Sequence, residues 1–361
     1  MGVFRSSTNV LHFSHQFVKA FIVSCIHAMI MHRISLPNEY LEGTNNVYLL
    51  DGEETALIDA GSDTPEVRDA VVDGFAAAGL TIPDLDRIFL THYHIDHCGA
   101  VGWLVDQSGA SVHAHPADRP LIEGNETAWE RLNRQRCEQL DSWGVPANKV
   151  EALFDAFVED PNLYADVSVE PIEDNVRVDC CGTPLRTHHT PGHSLGHLAF
   201  VLPARDEVIS GDALLPVYTP NIGGADIRVE EPLVDYLETL QWFVDEKFGR
   251  AWPGHRTTIA DPAGRARGIF HHHEERAMRV LRTLERDNLM TPWAVSQELF
   301  GSLEGVHILH GPGEAYAHLN HLTRTGALRR EKEGYRLTAD TAERVRSSGE
   351  ESWELETRHR D

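Results

Sequence analysis

The sequence predicts an α/β protein: short strands alternating with helices over residues 31–260, then a small α+β unit of winged-helix outline over residues 261–340. Three observations predict it. Apolar residues recur with period 2 in short runs bounded by turn residues, and the longer runs between them repeat with the period of a helix. The clusters of His and Asp stand directly behind strand-like runs, where α/β proteins carry their chemistry.

The elements follow in order. NVYLL, the turn DGEE and TALIDA read as strand, turn, strand over residues 46–60, and Val67, Ala70, Val71 and Phe75 give residues 65–80 a helical face. RIFLT (87–91) is a short buried strand, 99–107 a helix and SVHAH (111–115) a strand. Residues 126–157 are helical with a break at 144–146, and strands are expected at 171–180, 184–187, 197–202 and 207–210. A helix over 231–246 and a strand over 250–252 complete this part.

Beyond it, 261–287 reads as one long helix, and the cap pair Thr291-Pro292 starts a second that runs to Phe300. Pro312 is expected to open a third, stopped by Gly326, and ALRREKEGYRL to form a hairpin turning at Glu333-Gly334. Residues 341–361 read as a charged, mobile tail.

The 361 residues carry 32 Lys+Arg against 56 Asp+Glu, a formal charge of −24. An apolar fraction of 41% excludes a largely disordered chain. The acidity sits in residues 34–260, which hold 14 basic and 39 acidic residues, while 261–361 hold 15 and 17. Only Lys19, Lys149, Lys247 and Lys332 are lysines, a Lys-poor, acid-rich balance that resembles proteins of salt-loving microbes. Five cysteines, odd in number and without C-x-x-C spacing, fit free thiols in a reducing cytoplasm.

Residues 1–30 contain no acid, and the apolar run over 20–30 is too short to span a membrane. Three readings stand for this stretch: an upstream start codon ahead of a native start at Met31, an extra N-terminal piece, or a targeting segment. The protein is expected to be cytoplasmic, without a membrane partner.

The chemistry-bearing run is His92-Tyr93-His94-Ile95-Asp96-His97, directly behind the strand RIFLT. Residues two apart in an extended loop face the same side, so His92 and His94 can share one metal, while Asp96 and His97 can serve another. Imidazole and carboxylate suit zinc and similar ions. By composition the pattern arises by chance on the order of 0.01 times in such a chain; a solvated polar loop is the alternative. His193 in TPGHSLGH, Asp212 in SGD, His255 in WPGH and Asp59 in DAG each follow another strand, as expected if two sheets converge on one edge.

These five motifs, in this order, resemble the metallo-β-lactamase superfamily. The resemblance covers residues 31–260 and implies an αββα four-layer sandwich. It implies a first zinc on His92, His94 and His193, a second on Asp96, His97 and His255, and Asp212 between them, with Asp59 holding the metal loop by hydrogen bonds. Asp96 would also be the catalytic group that orients a metal-bridging hydroxide and takes its proton. Two Zn2+ are the expected cofactors, with iron or manganese as alternatives. A bridging Asp without a ligating Cys is similar to the glyoxalase II and ribonuclease branches and argues against antibiotic hydrolysis.

The C-terminal order of elements resembles the β-lactamase-like protein 2 group, some of which cut single-stranded RNA. The expected function is therefore hydrolysis of a small ester, thioester or lactone; the alternative is a metal-dependent endoribonuclease. An iron-dependent sulfur dioxygenase of the same fold and a non-enzymatic regulator are further readings, and a homodimer is open. Tyr218, Asn221 and Arg256, in loops behind strand ends, are candidate substrate contacts or structural turn residues. His188, His189 and His197 read as strand-end histidines packed beside the site, and at most one of His271, His272 and His273 could reach it.

Overall fold

The structure, a computed structural model, describes residues 29–38, 43–156, 167–347 and 349–357. The expected N-terminal extension over 1–30 lies outside the described residues except for its last two.

Six strands form one sheet in chain order: β1 (Ile30–Leu36), β2 (Asn45–Asp51), β3 (Thr55–Ile58), β4 (Arg87–Phe89), β5 (Ser111–Ala114) and β6 (Val169–Pro171). The β2–β3 turn is tight, so those strands pair antiparallel, as do β1 and β2. From β3 to β6 the pairing is parallel. Parallel neighbours need crossovers, supplied by α1 (Pro65–Ala77), α2 (Ile95–Cys98) and α3 (Val101–Ser108), then α4 (Arg119–Ile122), α5 (Glu126–Ser142) and α6 (Ala147–Ala156).

The second sheet runs β11-β10-β9-β8-β7, from β7 (Arg177–Cys180), β8 (Thr183–His189), β9 (Leu198–Leu202), β10 (Glu207–Gly211) and β11 (Arg250–Pro253). The helix α7 (Pro232–Glu246) carries the chain from β10 to β11, its one parallel partner.

Side-chain alternation builds the layers. Tyr48, Leu50, Ala56 and Ile58 meet Leu198, Phe200, Leu202 and Ile209 in an apolar layer between the sheets. Their neighbours Val47, Leu49 and Leu57 point the other way, against Val67, Val71 and Phe75 of α1. Ala199, Val201 and Val208 likewise turn outward to Leu233, Leu237 and Leu240 of α7. Two facing sheets with helices outside both give the expected αββα sandwich.

Downstream come α8 (Pro262–Asp287), α9 (Pro292–Phe300), α10 (His307–Arg324), the antiparallel hairpin β12 (Leu328–Glu331) and β13 (Gly334–Leu337), and α11 (Ala339–Ser347). Ile269, Ala277 and Leu281 of α8 and Ala315 and Leu319 of α10 join the apolar layer outside the second sheet. That layer is continuous from the sheet to the hairpin.

Four elements differ from the sequence reading. The strand β1 escapes notice because only Ile34 and Leu36 of IMHRISL are buried. The run over 171–180 divides between the two sheets at Asn175, whose φ is 56°. The third C-terminal helix begins before Pro312, at His307; its first turn closes with i→i+3 bonds such as Leu309 N to Val306 O at 3.0 Å. Residues expected in a mobile tail instead form α11, which buries Thr341 and Val345 at i, i+4 spacing.

Cys98, Cys137, Cys180 and Cys181 are free thiols. Among the described residues no helix is long and apolar enough to cross a membrane.

Candidate metal centre

The two sheets meet at one edge. Tyr48 Oη donates to Pro253 O at 2.6 Å and Asn46 N to Gly254 O at 2.7 Å, and Asn45 bridges His255. Every motif residue sits on this edge: Asp59 after β3, the His92–His97 run after β4, His193 after β8, Asp212 after β10 and His255 after β11. All seven candidate ligands are brought together, and each is buried except the half-buried His94.

His92, His94 and His193 form one triad, and Asp96, His97 and His255 another. Asp212 stands between, with Oδ2 3.8 Å from His193 Nε2 and 3.2 Å from His255 Nε2, and Oδ1 3.5 Å from His97 Nε2. The turn that separates Asp96 and His97 from His92 and His94 is the start of α2, which has His94 as its N-cap residue.

Hydrogen bonds on the outside of each ring assign the tautomers. His94 Nε2–H donates to Ala225 O at 3.2 Å and His193 Nδ1–H to Asn221 O at 2.9 Å. Thr91 Oγ1 donates to Asp59, so it accepts from His92 Nδ1–H at 3.0 Å. The inward nitrogens are therefore lone pairs. His92 Nε2 faces His94 Nδ1 at 2.9 Å, and His193 Nε2 faces it at 3.1 Å. Three lone pairs pointed at one another repel unless a cation lies among them.

A proton does not fill that role. Burial, reinforced by the neighbouring imidazoles, holds His92 well below the usual histidine range and His94 down to about 3.

The second triad carries the opposite electrostatics. His97 Nδ1–H donates to Asp59 Oδ2 at 2.9 Å, leaving Nε2 turned toward Asp96 and Asp212. His97 Nε2 and Asp212 Oδ1 are both buried without a hydrogen-bond partner. Burial pushes the Asp212 carboxyl up, but His255 and His97 outweigh it and hold it well below the usual carboxylate range. Buried, unpartnered nitrogen and carboxylate donors are what a divalent ion needs, so the residues present fit one.

Asp59 points no atom into the centre. It accepts from Thr91 N at 2.8 Å and from His97, and so orients both triads from behind. Gly254 is required by contact: a Cβ there would run into Asp212 Oδ1 and lie 2.7 Å from His97 Cε1.

The flanking histidines are engaged elsewhere. His197 accepts Asp212 N–H on Nε2 at 3.0 Å and bonds Thr190 Oγ1 through Nδ1. His189 bonds Leu195 O and stacks on His115, and His188 stacks on Trp242. His271 is exposed, and His273 packs against His318 and Tyr236 rather than at the centre. His273, Glu314 and His318 make a further buried group of donors. There Arg276 Nη1 already occupies Glu314 at 2.8 Å, and the imidazoles bond one another.

Above His193, Asp212 and His255 opens a cavity of about 490 Å³, walled by Phe300, Leu303, His307 and His310 and by Tyr218 and Asn221. Tyr218 is part of the lining. Asn221 is too, with its amide committed to His310 O and Glu314, so it braces the wall. Arg256 lies outside the lining, over the Tyr218 ring at 5.3 Å.

Sequence reasoning missed Asn45, whose Nδ2 holds Asp96, as well as Ala225, Asp118, Asp226 and Arg228. The four side chains act on distant segments, and Ala225 acts only through its backbone carbonyl; none carries a motif.

The family model described as the metallo-beta-lactamase superfamily matches residues 41–291. The probable metallo-hydrolase YqjP of Bacillus subtilis is 26% identical over 86% of this chain and 98% of its own. An atrochrysone carboxyl ACP thioesterase of Aspergillus terreus is 24% identical over 68% of this chain and 60% of its own. The crystal structure of a metallo-beta-lactamase family protein from Thermus thermophilus superposes with a TM-score of 0.74 at 30% identity, covering 85% of this chain and 98% of that one.

Proposed function

Since the chain belongs to the metallo-beta-lactamase superfamily and is a hydrolase of that fold, we propose that it cleaves a small ester, thioester or lactone at a binuclear metal centre. In this reading His92, His94 and His193 would hold one ion, Asp96, His97 and His255 the other, and Asp212 would serve both, with zinc as the metal. When bound, the ions supply Lewis acidity and lower the pKa of a water they hold toward neutrality.

The protein's own groups do the rest. Asp96 Oδ2 lies 3.7 Å from His97 Nε2 and 3.4 Å from the Nε2 of His255, a residue of the cavity lining. There it accepts the proton of the attacking water and keeps its oxygen aimed at the acyl carbon. The cavity walls hold the acyl group over Asp212 and His193.

One observation carries the choice of substrate class: the centre lies at the bottom of a cavity in which Arg276 is the one Lys or Arg among the described lining residues. Its guanidinium is neutralised by Glu314 at 2.8 Å. Single-stranded RNA needs a cationic track beside its stacking faces; among the described lining residues this wall offers aromatic rings such as Phe300 but no such track. The thioesterase activity named for the Aspergillus relative points the same way. The winged-helix-like C-terminal part then serves as the outer wall of the acyl pocket. The proportion of acid to Lys supports a saline cytoplasm as its setting.

Metal analysis of the purified protein followed by one panel of thioester, ester, lactone and short RNA substrates tests the reading. Turnover of a small acyl substrate that vanishes in His94→Ala is expected. Cleavage of RNA alone would overturn the small-substrate reading, and iron with oxygen-dependent turnover would overturn hydrolysis.

A further inference from the structure

Behind the first triad lies a buried ion cluster unconnected to the cavity. Arg228 Nη2 bonds Asp118 Oδ1 at 2.7 Å and Asp226 Oδ2 at 2.6 Å, its Nε reaches Asp226 Oδ1 at 2.9 Å, and its Nη1 caps Ala117 O at 2.7 Å. Both carboxylate side chains are fully buried and the Arg228 side chain is 15% exposed. The guanidinium also lies 4.7 Å over the Tyr93 ring. A planar fork is needed to serve two carboxylates in this way, and an ammonium cannot replace it.

What the two carboxylates hold is the informative part. Asp118 accepts from Tyr93 N at 3.2 Å, between His92 and His94, and from Ser194 Oγ at 3.4 Å and Gly196 N at 3.1 Å, just after His193. Asp226 accepts from Leu195 N at 2.8 Å. The approach is close: a Cβ on Gly196 would lie 2.5 Å from Asp118 Cγ. The segment that carries Asp226 and Arg228 also supplies Ala225 O to His94 and, a few residues earlier, Asn221 O to His193. The second triad is held by other residues, Asp59 behind His97 and Asn45 on Asp96.

We infer that Arg228 is a positioning residue for the first metal site: by bridging Asp118 and Asp226 it fixes the His92–His94 loop and the His193 loop relative to each other, and it leaves the second site untouched. This rests on the binuclear reading above. Three imidazole lone pairs about 3 Å apart oppose one another in the metal-free protein, and the clamp is the buried structure that holds their two loops together against that repulsion.

The test is Zn2+ competition against a chromophoric chelator, using the full chain stripped of metal. The equivalent lost in His193→Ala identifies the first site. In Arg228→Lys, which keeps the charge but cannot span both carboxylates, the dissociation constant of that equivalent should rise about tenfold or more, with the other unchanged. Should the lysine variant fail to fold, the charge-balanced double variant Arg228→Met, Asp226→Asn is read in the same way.

Unchanged affinity at both sites overturns the proposal. So does equal weakening of both sites with a lowered Tm, which is what a merely structural ion cluster would give. A wild type that binds a single equivalent, lost in His193→Ala, sinks the binuclear reading and leaves this one to be read on that equivalent. A wild type that binds none sinks both.

Discussion

Asn45 holds Asp96 twice: its Nδ2 donates to the Asp96 backbone oxygen at 2.7 Å and to Oδ2 at 3.1 Å. The two residues come from different strand ends, Asn45 opening β2 and Asp96 following β4, and both are almost wholly buried. The carboxylate proposed to manage the proton is thus oriented by an amide far upstream in the chain. Replacing Asn45 by Ala leaves the Asp96 oxygens without this donor. Catalytic efficiency should fall about 10- to 100-fold, the range for residues that orient metal ligands, while Tm changes little. Steady-state kinetics on the acyl substrate checks it, and an unaltered kcat/KM would remove Asn45 from the site.

His94→Ala removes the imidazole that faces both His92 and His193, and Asp96→Asn weakens the anionic character of the second triad. Both variants should lose bound metal, and turnover should drop below detection in the first and by at least about a hundredfold in the second. Elemental analysis alongside kinetics checks this. Wild-type rates in Asp96→Asn would exclude it as the proton acceptor.

How much of this was legible depended on where each residue lies in the chain. His92, His94, Asp96 and His97 stand within six residues behind one strand, so strand periodicity and spacing alone put them on a loop with ligating geometry. The αββα layering was legible only through the family resemblance that the five motifs carry; the alternation of Tyr48 and Leu50 with Val47 and Leu49 marked the strand but not the layers it joins. Asn45, Asp118 and Arg228 were illegible because their work depends on contacts with segments far away, which a single sequence does not encode locally. The strand β1 was missed because its sequence carries His32 and Arg33 and buries only its far end.

Gly254→Ala tests the packing of the centre without touching a ligand. The added methyl would enter the space of Asp212 Oδ1 and His97 Cε1, and with its backbone tied to the first sheet through Asn46 the loop has little room to retreat. Metal occupancy should fall while the far-ultraviolet spectrum stays native. Full occupancy and activity would mean that the loop yields more readily than the contacts imply.

Stability should decline with acid through the buried histidines. Burial, with Arg276 nearby, lowers His318 to about 3, and the unfolded chain takes up that proton near the ordinary value of about 6.5. The folded state thus binds fewer protons between those limits. The contribution is fully present above about pH 6.5 and is lost as pH falls toward 3, at about 1.4 kcal/mol per pH unit for each such group. His318→Gln should flatten the dependence of unfolding free energy on pH between 6 and 4. An unchanged slope would show that other groups carry the acid sensitivity.

Salt should act in the opposite sense to its usual effect on surface ion pairs. Residues 34–260 hold 39 acidic against 14 basic residues, so the net long-range interaction across the catalytic layers is self-repulsion, which opposes compaction. Molar salt shrinks the screening length to about 3 Å and removes most of that repulsion. Exposed pairs such as Arg68 with Asp63 contribute too little each to offset the gain. The unfolding midpoint should therefore rise between low and molar KCl. A matched titration in KCl and in a non-ionic osmolyte separates screening from general exclusion, and a midpoint that did not rise with KCl would rule out charge repulsion as the main electrostatic term in the fold.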